Sequence, residues 1–298
     1  MSEEEVPLIT ADDFKPLSSS TVDMTHQNTL LFGPPGVGKT TQAALLKAKY
    51  GKTLILSGEE GLSSIKDDDV EYMKFSRYAA HSDPAKELAA MKSYDYSLSN
   101  LLKFVSKYGE ERGYKVVVLD SLTKASQFIF DEAERFFEYK DDKTGAIYQK
   151  HNRDLEKVIN DITKLKFCNK LVIALEKKEN LDELGKPGQR NTRPYNIPFI
   201  MGKKVVPYIM GAFDNVWGFY KAPSATNPGS MERFFVTQSI NGWEAKTRDP
   251  SRPPRLRPLE SGSDITELYD VMKMPKAEFK ALEKQRATET KEQQKEEK

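Results

Sequence analysis

The chain has 298 residues, a length that suits one large α/β domain with appendages or two small domains. Its hydrophobic content of 38% is enough for a packed core, which excludes a chain that is disordered throughout. The net charge of +1 excludes a general electrostatic attraction to nucleic acid, so any such binding must depend on local clusters of basic residues. The single cysteine, Cys168, excludes an intramolecular disulfide framework and predicts a buried, unreactive thiol in a reducing compartment.

The two ends of the chain are polar. The start, Met-Ser-Glu-Glu-Glu, is the reverse of the basic start of a signal peptide, and no apolar run approaches about 18 residues. We therefore expect a cytoplasmic protein without a membrane partner. The composition predicts a leader at residues 1–28, a core at 29–260 and a charged tail, helical or disordered, at 261–298.

Short apolar runs alternate with helical patterns along the core. The runs predict strands at 29–32, 53–56, 114–119, 171–175, 216–220 and 233–237. Helical spacing predicts helices at 40–50, 98–108, 122–139 and 148–165. Residues 61–96 form a variable stretch, and residues 177–204, rich in Lys, Arg, Gly, Pro and Asn, are predicted to be a long loop. This alternation predicts an α/β fold with a mainly parallel twisted sheet, helices on both faces and late antiparallel strands.

The clearest motif follows the first strand. Residues 33–40 fit the pattern G-x-x-x-x-G-K-[ST], in which backbone N–H groups curl around phosphates. Lys39 would supply a mobile cation to the terminal phosphates, and the Thr40 hydroxyl is placed to bind Mg²⁺. The sequence therefore predicts an ATP and Mg²⁺ site. The residues predicted to bind the nucleotide are Gly33, Pro34, Pro35, Gly36, Val37, Gly38, Lys39, Thr40 and Thr41.

Two acidic residues at strand ends are the predicted partners of this loop. Asp120 ends the strand at 114–119, where a carboxylate would hold Mg²⁺ beside the P-loop, although such an Asp can also cap the next helix. Glu59 follows the second strand, where an anionic carboxylate can orient and polarise the attacking water. Glu60 is the alternative base, and a pair of surface glutamates is the alternative interpretation.

Three segments resemble RecA-like ATPases. Leu-Asp-Ser-Leu-Thr at 119–123 looks like their Walker B turn. Leu-Ser-Gly-Glu-Glu-Gly at 56–61 is similar to the strand end of RadA and replicative helicases, where a Glu activates water. Lys246 and Arg248 resemble a Lys-x-Arg element of RadA and DnaB-like hexamers that reaches the γ-phosphate of the neighbouring subunit; solvated charges on a hairpin are the alternative. The resemblance covers about residues 25–250 and also implies a cis peptide bond at Asp120–Ser121.

Taken together, these segments are similar to phage nucleotide-binding proteins of the AAA_24 type, the Sak-type recombinases and single-strand annealing proteins. That resemblance implies a Mg²⁺-dependent ATPase that binds single-stranded DNA and assists annealing or strand exchange in recombination or replication. It also implies a homo-oligomeric ring or filament with ATP at subunit interfaces, and a single-strand binding protein as a further partner. Glu176 occupies the position of a γ-phosphate sensor.

The predicted loop at 177–204 is the candidate DNA-binding segment. It interleaves basic residues with Tyr195 and Phe199, a pattern that suits phosphates held by charge and bases stacked on rings. The candidate DNA-binding residues are Lys178, Arg190, Arg193, Lys203 and Lys204. A merely solvated loop is the alternative. For the whole protein, the alternatives are a nucleotide-gated assembly or loading factor with little turnover, and a small-molecule P-loop kinase.

Overall fold

A computed structural model describes residues 25–59, 61–137, 144–182, 192–224, 227–249, 251 and 254–296, without the side chains of 180–182, 192–193 and 287–296. The strands are β1 (Asn28–Gly33), β2 (Thr53–Ser57), β3 (Glu71–Arg77), β4 (Tyr96–Ser97), β5 (Val116–Asp120), β6 (Asn169–Asp182), β7 (Thr192–Pro198), β8 (Asn215–Pro223), β9 (Met231–Val236), β10 (Lys246–Thr247) and β11 (Leu259–Ser261). The helices are α1 (Thr41–Tyr50), α2 (Pro84–Lys92), α3 (Leu98–Tyr108), α4 (Leu122–Phe137), α5 (Thr144–Thr163), α6 (Val206–Ala212), α7 (Ile265–Lys273) and α8 (Lys276–Glu296).

The strands of the described segments form one mixed sheet. Its order is β11-β9-β8-β1-β6-β5-β2-β3-β4, with β10 beside β8 and β7 beside β6. Neighbours from β8 to β4 along this path run parallel, and β7, β9, β10 and β11 join antiparallel to their partners. The predicted fold class, a mainly parallel sheet with late antiparallel strands, is confirmed.

The central strands are buried on both faces. In β1, Leu30 and Phe32 pack into one hydrophobic cluster and Leu31 into the other, because successive side chains of a strand point to opposite faces. The first cluster includes side chains of α3, α4, α5 and α6, and the second includes those of α1 and α7. Burial on both faces explains why these strands read as nearly continuous apolar runs.

Two regions differ from the sequence predictions. The variable stretch at 61–96 contains β3, α2 and β4, and Phe75 is the one fully buried side chain of β3, so no apolar run marks this strand. The predicted long loop at 177–204 is wrong, because β6 continues to Asp182 and pairs antiparallel with β7, and α6 begins at Val206. Charged and polar side chains along this hairpin conceal it in the sequence. The other predicted elements lie within a few residues of their predicted bounds.

Helix α7 packs on the core within the segment that the sequence assigns to the tail. Its side chains Ile265, Leu268 and Tyr269 are buried, and the Tyr269 hydroxyl donates to Thr29 Oγ1 of β1 at 2.8 Å. The packed core therefore extends beyond residue 260. Within the described ranges, no helix is both long and apolar enough to cross a membrane.

Candidate functional site

The carboxyl ends of four parallel strands bring the predicted site residues to one edge of the sheet. Gly33 at the end of β1 pairs with Leu175 of β6, and Asp120 at the end of β5 pairs with Ile173 of the same strand. Ser57 at the end of β2 pairs in turn with Asp120. The chain segments that follow these ends of β1, β2 and β5, and the adjoining part of β6, are therefore neighbours. Open α/β sheets bind their ligands at this end of the strands.

The loop from Gly33 to Thr41 has a backbone that needs glycine at defined places. A Cβ atom on Gly33 would lie 1.9 Å from the backbone oxygen of Phe219 in β8, so no side chain fits there. Gly38 has a φ of 103°, a conformation that side chains rarely adopt. The loop then enters α1, whose first N–H groups can bind an anion. This geometry fits the predicted phosphate cradle.

Lys39 lies inside this loop and is buried. Its Nζ donates to the carbonyl oxygens of Gly33 and Pro34, at 2.8 Å each. Burial lowers the pKa of Lys39 to about 8, while the carboxylates of Asp120 and Glu59 act in the opposite direction. The ammonium group is therefore charged at neutral pH and has few competing water contacts, which suits a phosphate ligand.

Thr40 and Asp120 form the candidate metal site. The Thr40 hydroxyl donates to Asp120 Oδ2 at 2.7 Å, and Asp120 is 5% exposed. Burial raises the pKa of Asp120, and the hydrogen bond from Thr40 opposes that shift. One hydroxyl and one carboxylate fit Mg²⁺, because proteins commonly hold this ion through one or two carboxylates together with substrate phosphates.

Glu59 is fixed beside Asp120 by the end of β2. The N–H of Gly58 donates to the Asp120 carbonyl oxygen at 2.7 Å, and the Ser121 hydroxyl donates to Glu59 Oε1 at 2.5 Å. Ser121 is 2% exposed and also accepts from the N–H of Lys124 at the start of α4. The Asp120–Ser121 peptide bond is cis, as the resemblance implies. Glu60, the alternative base, lies outside the described residues.

These groups line one cavity with a volume of about 380 Å³. Its walls include Lys39, Thr40, Glu59, Asp120 and Ser121. The cavity is within the size range of small-molecule sites. Its described lining thus combines a phosphate-binding loop, a metal-binding pair and a carboxylate able to act as a base.

Glu176, the predicted sensor, lies within β6 directly after the cavity-lining residue Leu175. Its Oε2 is buried, and no described residue is hydrogen-bonded to that atom. Burial raises the pKa of Glu176, while the charges of Lys178 and Lys39 lower it. The side chain is therefore within electrostatic reach of the P-loop lysine.

Two basic residues that the sequence does not single out also contact the P-loop. Arg233 of β9 lines the cavity and donates from Nε to the Val37 carbonyl oxygen at 2.9 Å. Lys221 of β8 donates from Nζ to the Gly36 carbonyl oxygen at 3.0 Å. The sequence predicts strands here but carries no signal for where these side chains lie.

Family comparison agrees with this geometry. Residues 25–248 match the model of the AAA_24 family, which is described as an AAA domain, so well over half of the chain is matched. The chain belongs to the AAA_24 family. With its fold and its P-loop, this AAA_24 protein has the architecture of RecA-like P-loop ATPases.

Individual proteins match this AAA_24 protein either over a short stretch or at low sequence identity. An adenylate kinase of Pyrococcus abyssi is 41% identical over 56 residues, which span 19% of this chain and 26% of the kinase. An ATPase of the type III secretion system of pathogenic bacteria is 13% identical, with a TM-score of 0.37 over 67% of this chain and 52% of that chain. The flagellar accessory protein FlaH of Methanocaldococcus jannaschii is 11% identical, with a TM-score of 0.33 over 72% and 80%.

Lys246 and Arg248 lie away from the P-loop of their own subunit. Lys246 pairs with Val216 near the amino end of β8, whereas the P-loop adjoins Phe219 further along this strand. Arg248 Nη1 donates to Asp214 Oδ1 at 3.0 Å, beyond that end of the strand. From Asp214 to Phe219 the strand rises by about 16 Å. The structure therefore does not join these cations to the other site residues within one chain.

Of the candidate DNA-binding residues, Lys178 lies in β6, and Lys203 and Lys204 lie in the short turn between β7 and α6. Lys178, Lys203 and Lys204 are exposed, and Lys203 is ion-paired with Glu179. Phe199, at 36% exposure, lies just after β7. Arg190 and the side chain of Arg193 lie outside the described part of the chain.

Proposed function

We propose that this AAA_24 protein hydrolyses ATP in the presence of Mg²⁺. The observation that carries the proposal is the convergence of Lys39, the Thr40–Asp120 pair and Glu59 on one cavity. An ATP-binding scaffold needs the cradle and the cation. The carboxylate of Glu59, held by the buried Ser121, adds a group that can activate a nucleophile.

In the proposed reaction, Glu59 removes a proton from a water molecule while the water oxygen attacks the γ-phosphorus. The bond from the γ-phosphorus to the oxygen that bridges it to the β-phosphorus breaks, which gives ADP and inorganic phosphate. Because the Ser121 hydroxyl holds Oε1, the second carboxylate oxygen is left as the proton acceptor. Lys39 places its charge on the terminal phosphates, and Mg²⁺, when bound, would neutralise part of their negative charge.

We further propose that the β6–β7 hairpin binds single-stranded DNA and that the protein assists annealing or strand exchange. Exposed Lys178 and Lys204 would contact phosphates, and the exposed ring of Phe199 would stack on bases. The hairpin continues directly from the strand that borders the nucleotide cavity, with Glu176 at the junction. This continuity supports coupling between DNA binding and ATP turnover.

Assembly into a homo-oligomer would give Lys246 and Arg248 their function. Both lie at the sheet edge opposite the P-loop and are partly exposed, so a γ-phosphate that they contact must belong to another subunit. An arginine supplied across an interface stabilises charge in the transition state.

ATP turnover is to be measured with and without single-stranded DNA, together with the oligomer mass in the presence of ATP. We expect hydrolysis that depends on Mg²⁺ and increases with DNA, and no hydrolysis by Lys39→Ala. A double Lys178→Ala, Lys204→Ala variant should lose the DNA response but retain basal turnover. The double Lys103→Ala, Lys107→Ala variant on the exposed face of α3 is the matched control.

Three results would reject parts of the proposal. Transfer of the γ-phosphate to a small molecule would identify a kinase, and ATP binding without turnover would identify a nucleotide-gated scaffold. Turnover that is indifferent to DNA, with no DNA binding, would leave an ATPase and remove the DNA-binding function.

A further inference from the structure

The P-loop is bounded by cations on the side away from the carboxylates. Lys221 and Arg233 reach it from the β8–β9 hairpin, where they donate to the carbonyl oxygens of Gly36 and Val37. β8 lies on one side of β1, and the strands that carry the two carboxylates of the site lie on the other. The cationic side chains therefore lie on one side of the loop, and the two carboxylates lie on the other.

Lys221 and Arg233 are also direct neighbours of each other. They occupy opposite positions in the antiparallel β8–β9 pair. Side chains at such positions begin about 4.5–5.5 Å apart, and like charges there destabilise the sheet. Both cations donate to neutral carbonyl groups, and within the described residues no carboxylate forms an ion pair with either of them. Such a pair of cations favours an anionic ligand.

We propose that Lys221 and Arg233 bind the nucleotide through phosphate groups other than the γ-phosphate. This inference rests on the proposed binding of ATP in the P-loop. The γ-phosphate must lie near Glu59 for water to attack it, so the remainder of the nucleotide extends toward β8. Arg233 lines that part of the cavity, and its Nε lies 3.7 Å from the position of a Cβ atom on Gly38.

The chemistry of the two side chains suits this function. The planar guanidinium of Arg233 still has two Nη groups that can donate to phosphate oxygens in parallel, whereas Lys221 supplies a point charge at the exposed rim. Contacts with phosphates that ADP and ATP share contribute to the binding of both nucleotides, so their loss should weaken the binding of ADP and ATP alike.

The test compares ADP and the slowly hydrolysed analogue ATPγS by titration calorimetry with Mg²⁺. Arg233→Gln should weaken both by the same factor, about tenfold for the loss of charge-assisted hydrogen bonds. Arg233→Lys should retain part of the affinity because it keeps the charge. Arg112→Gln, an exposed arginine at the opposite edge of the sheet, should have no effect.

The Tm measured without nucleotide shows whether Lys221 binds the ligand or only stabilises the P-loop. Lys221→Gln should weaken ADP binding about threefold or more, yet leave the Tm without nucleotide unchanged or raised, because it removes a like-charge repulsion. A lowered Tm would identify Lys221 as a brace for the P-loop and overturn its assignment.

Two other results would also overturn the inference. One is equal affinity of wild type and Arg233→Gln for ADP, and the other is a fall in kcat with unchanged ADP affinity, which would indicate a contact to the γ-phosphate. A different result would reject the proposed hydrolysis and leave this inference intact. In that result, wild type binds ADP but shows no turnover, and Arg233→Gln still weakens ADP binding.

Discussion

Glu59→Gln should retain ATP but hydrolyse it slowly. The substitution keeps the size of the side chain and removes the negative charge that accepts the proton from water. Loss of a general base typically lowers kcat by about 10²-fold or more, which corresponds to about 2.7 kcal/mol of activation free energy. Binding should persist because Lys39 and the phosphate cradle are unchanged. The effect should therefore appear in kcat and not in the dissociation constant for ATP.

Ser121→Ala should also lower kcat, because the Ser121 hydroxyl donates a hydrogen bond to the Glu59 carboxylate. Ser121→Ala removes a donor to a carboxylate, an interaction that contributes about 1.5–3 kcal/mol. Because Glu59 is only partly buried, water can replace part of this interaction, and we expect a fall in kcat of about tenfold. The same substitution removes an acceptor for the N–H of Lys124 at the start of α4, so about 1 kcal/mol of stability should also be lost.

Ser97→Ala is the matched control. Ser97 is buried and accepts from the N–H of Asn100 at the start of α3, so its removal should lower stability similarly without changing kcat. Since Ser121 acts through Glu59, Ser121→Ala should have little further effect in a Glu59→Gln background.

Steady-state and single-turnover rates at saturating ATP measure these effects. Turnover of Glu59→Gln within about threefold of wild type would refute its function as the base. If Glu60→Gln gave the slow phenotype instead, the base would be the neighbouring residue. An equal tenfold effect of Ser121→Ala in both backgrounds would show that Ser121 does not act through Glu59.

The remaining predictions concern the P-loop, the subunit interface and the thiol. Lys39→Ala should abolish nucleotide binding or turnover in a folded protein, because its charge contacts phosphate; normal hydrolysis by the purified variant would exclude this site. Mixing inactive Arg248→Ala with inactive Lys39→Ala subunits should restore partial activity, and no recovery at any ratio, despite confirmed co-assembly, would contradict a function across the interface. Burial raises the pKa of the Cys168 thiol to about 12, so the native protein at pH 8 should resist a thiol reagent that labels the unfolded protein; rapid native labelling would contradict this burial.

The sequence by itself determined the features that depend on neighbouring residues. Glycines, Lys39 and Thr40 stand at fixed spacing between an apolar strand and a helix, and Asp120 directly ends another apolar strand. Burial of both sheet faces makes such strands continuous apolar runs, so they are visible without any knowledge of their partners. The order of strands and helices then restricts the fold to a mainly parallel α/β sheet.

Only the tertiary structure decided which distant residues meet. The hydrogen bond from Ser121 to Glu59 joins residues 62 positions apart, and that from Arg233 to Val37 joins residues 196 positions apart. Both depend on strand order and register, which local propensities do not encode. The β6–β7 hairpin was hidden for a related reason: its strands are stabilised by pairing and carry charged side chains such as Lys177 and Glu179, so no apolar periodicity reveals them.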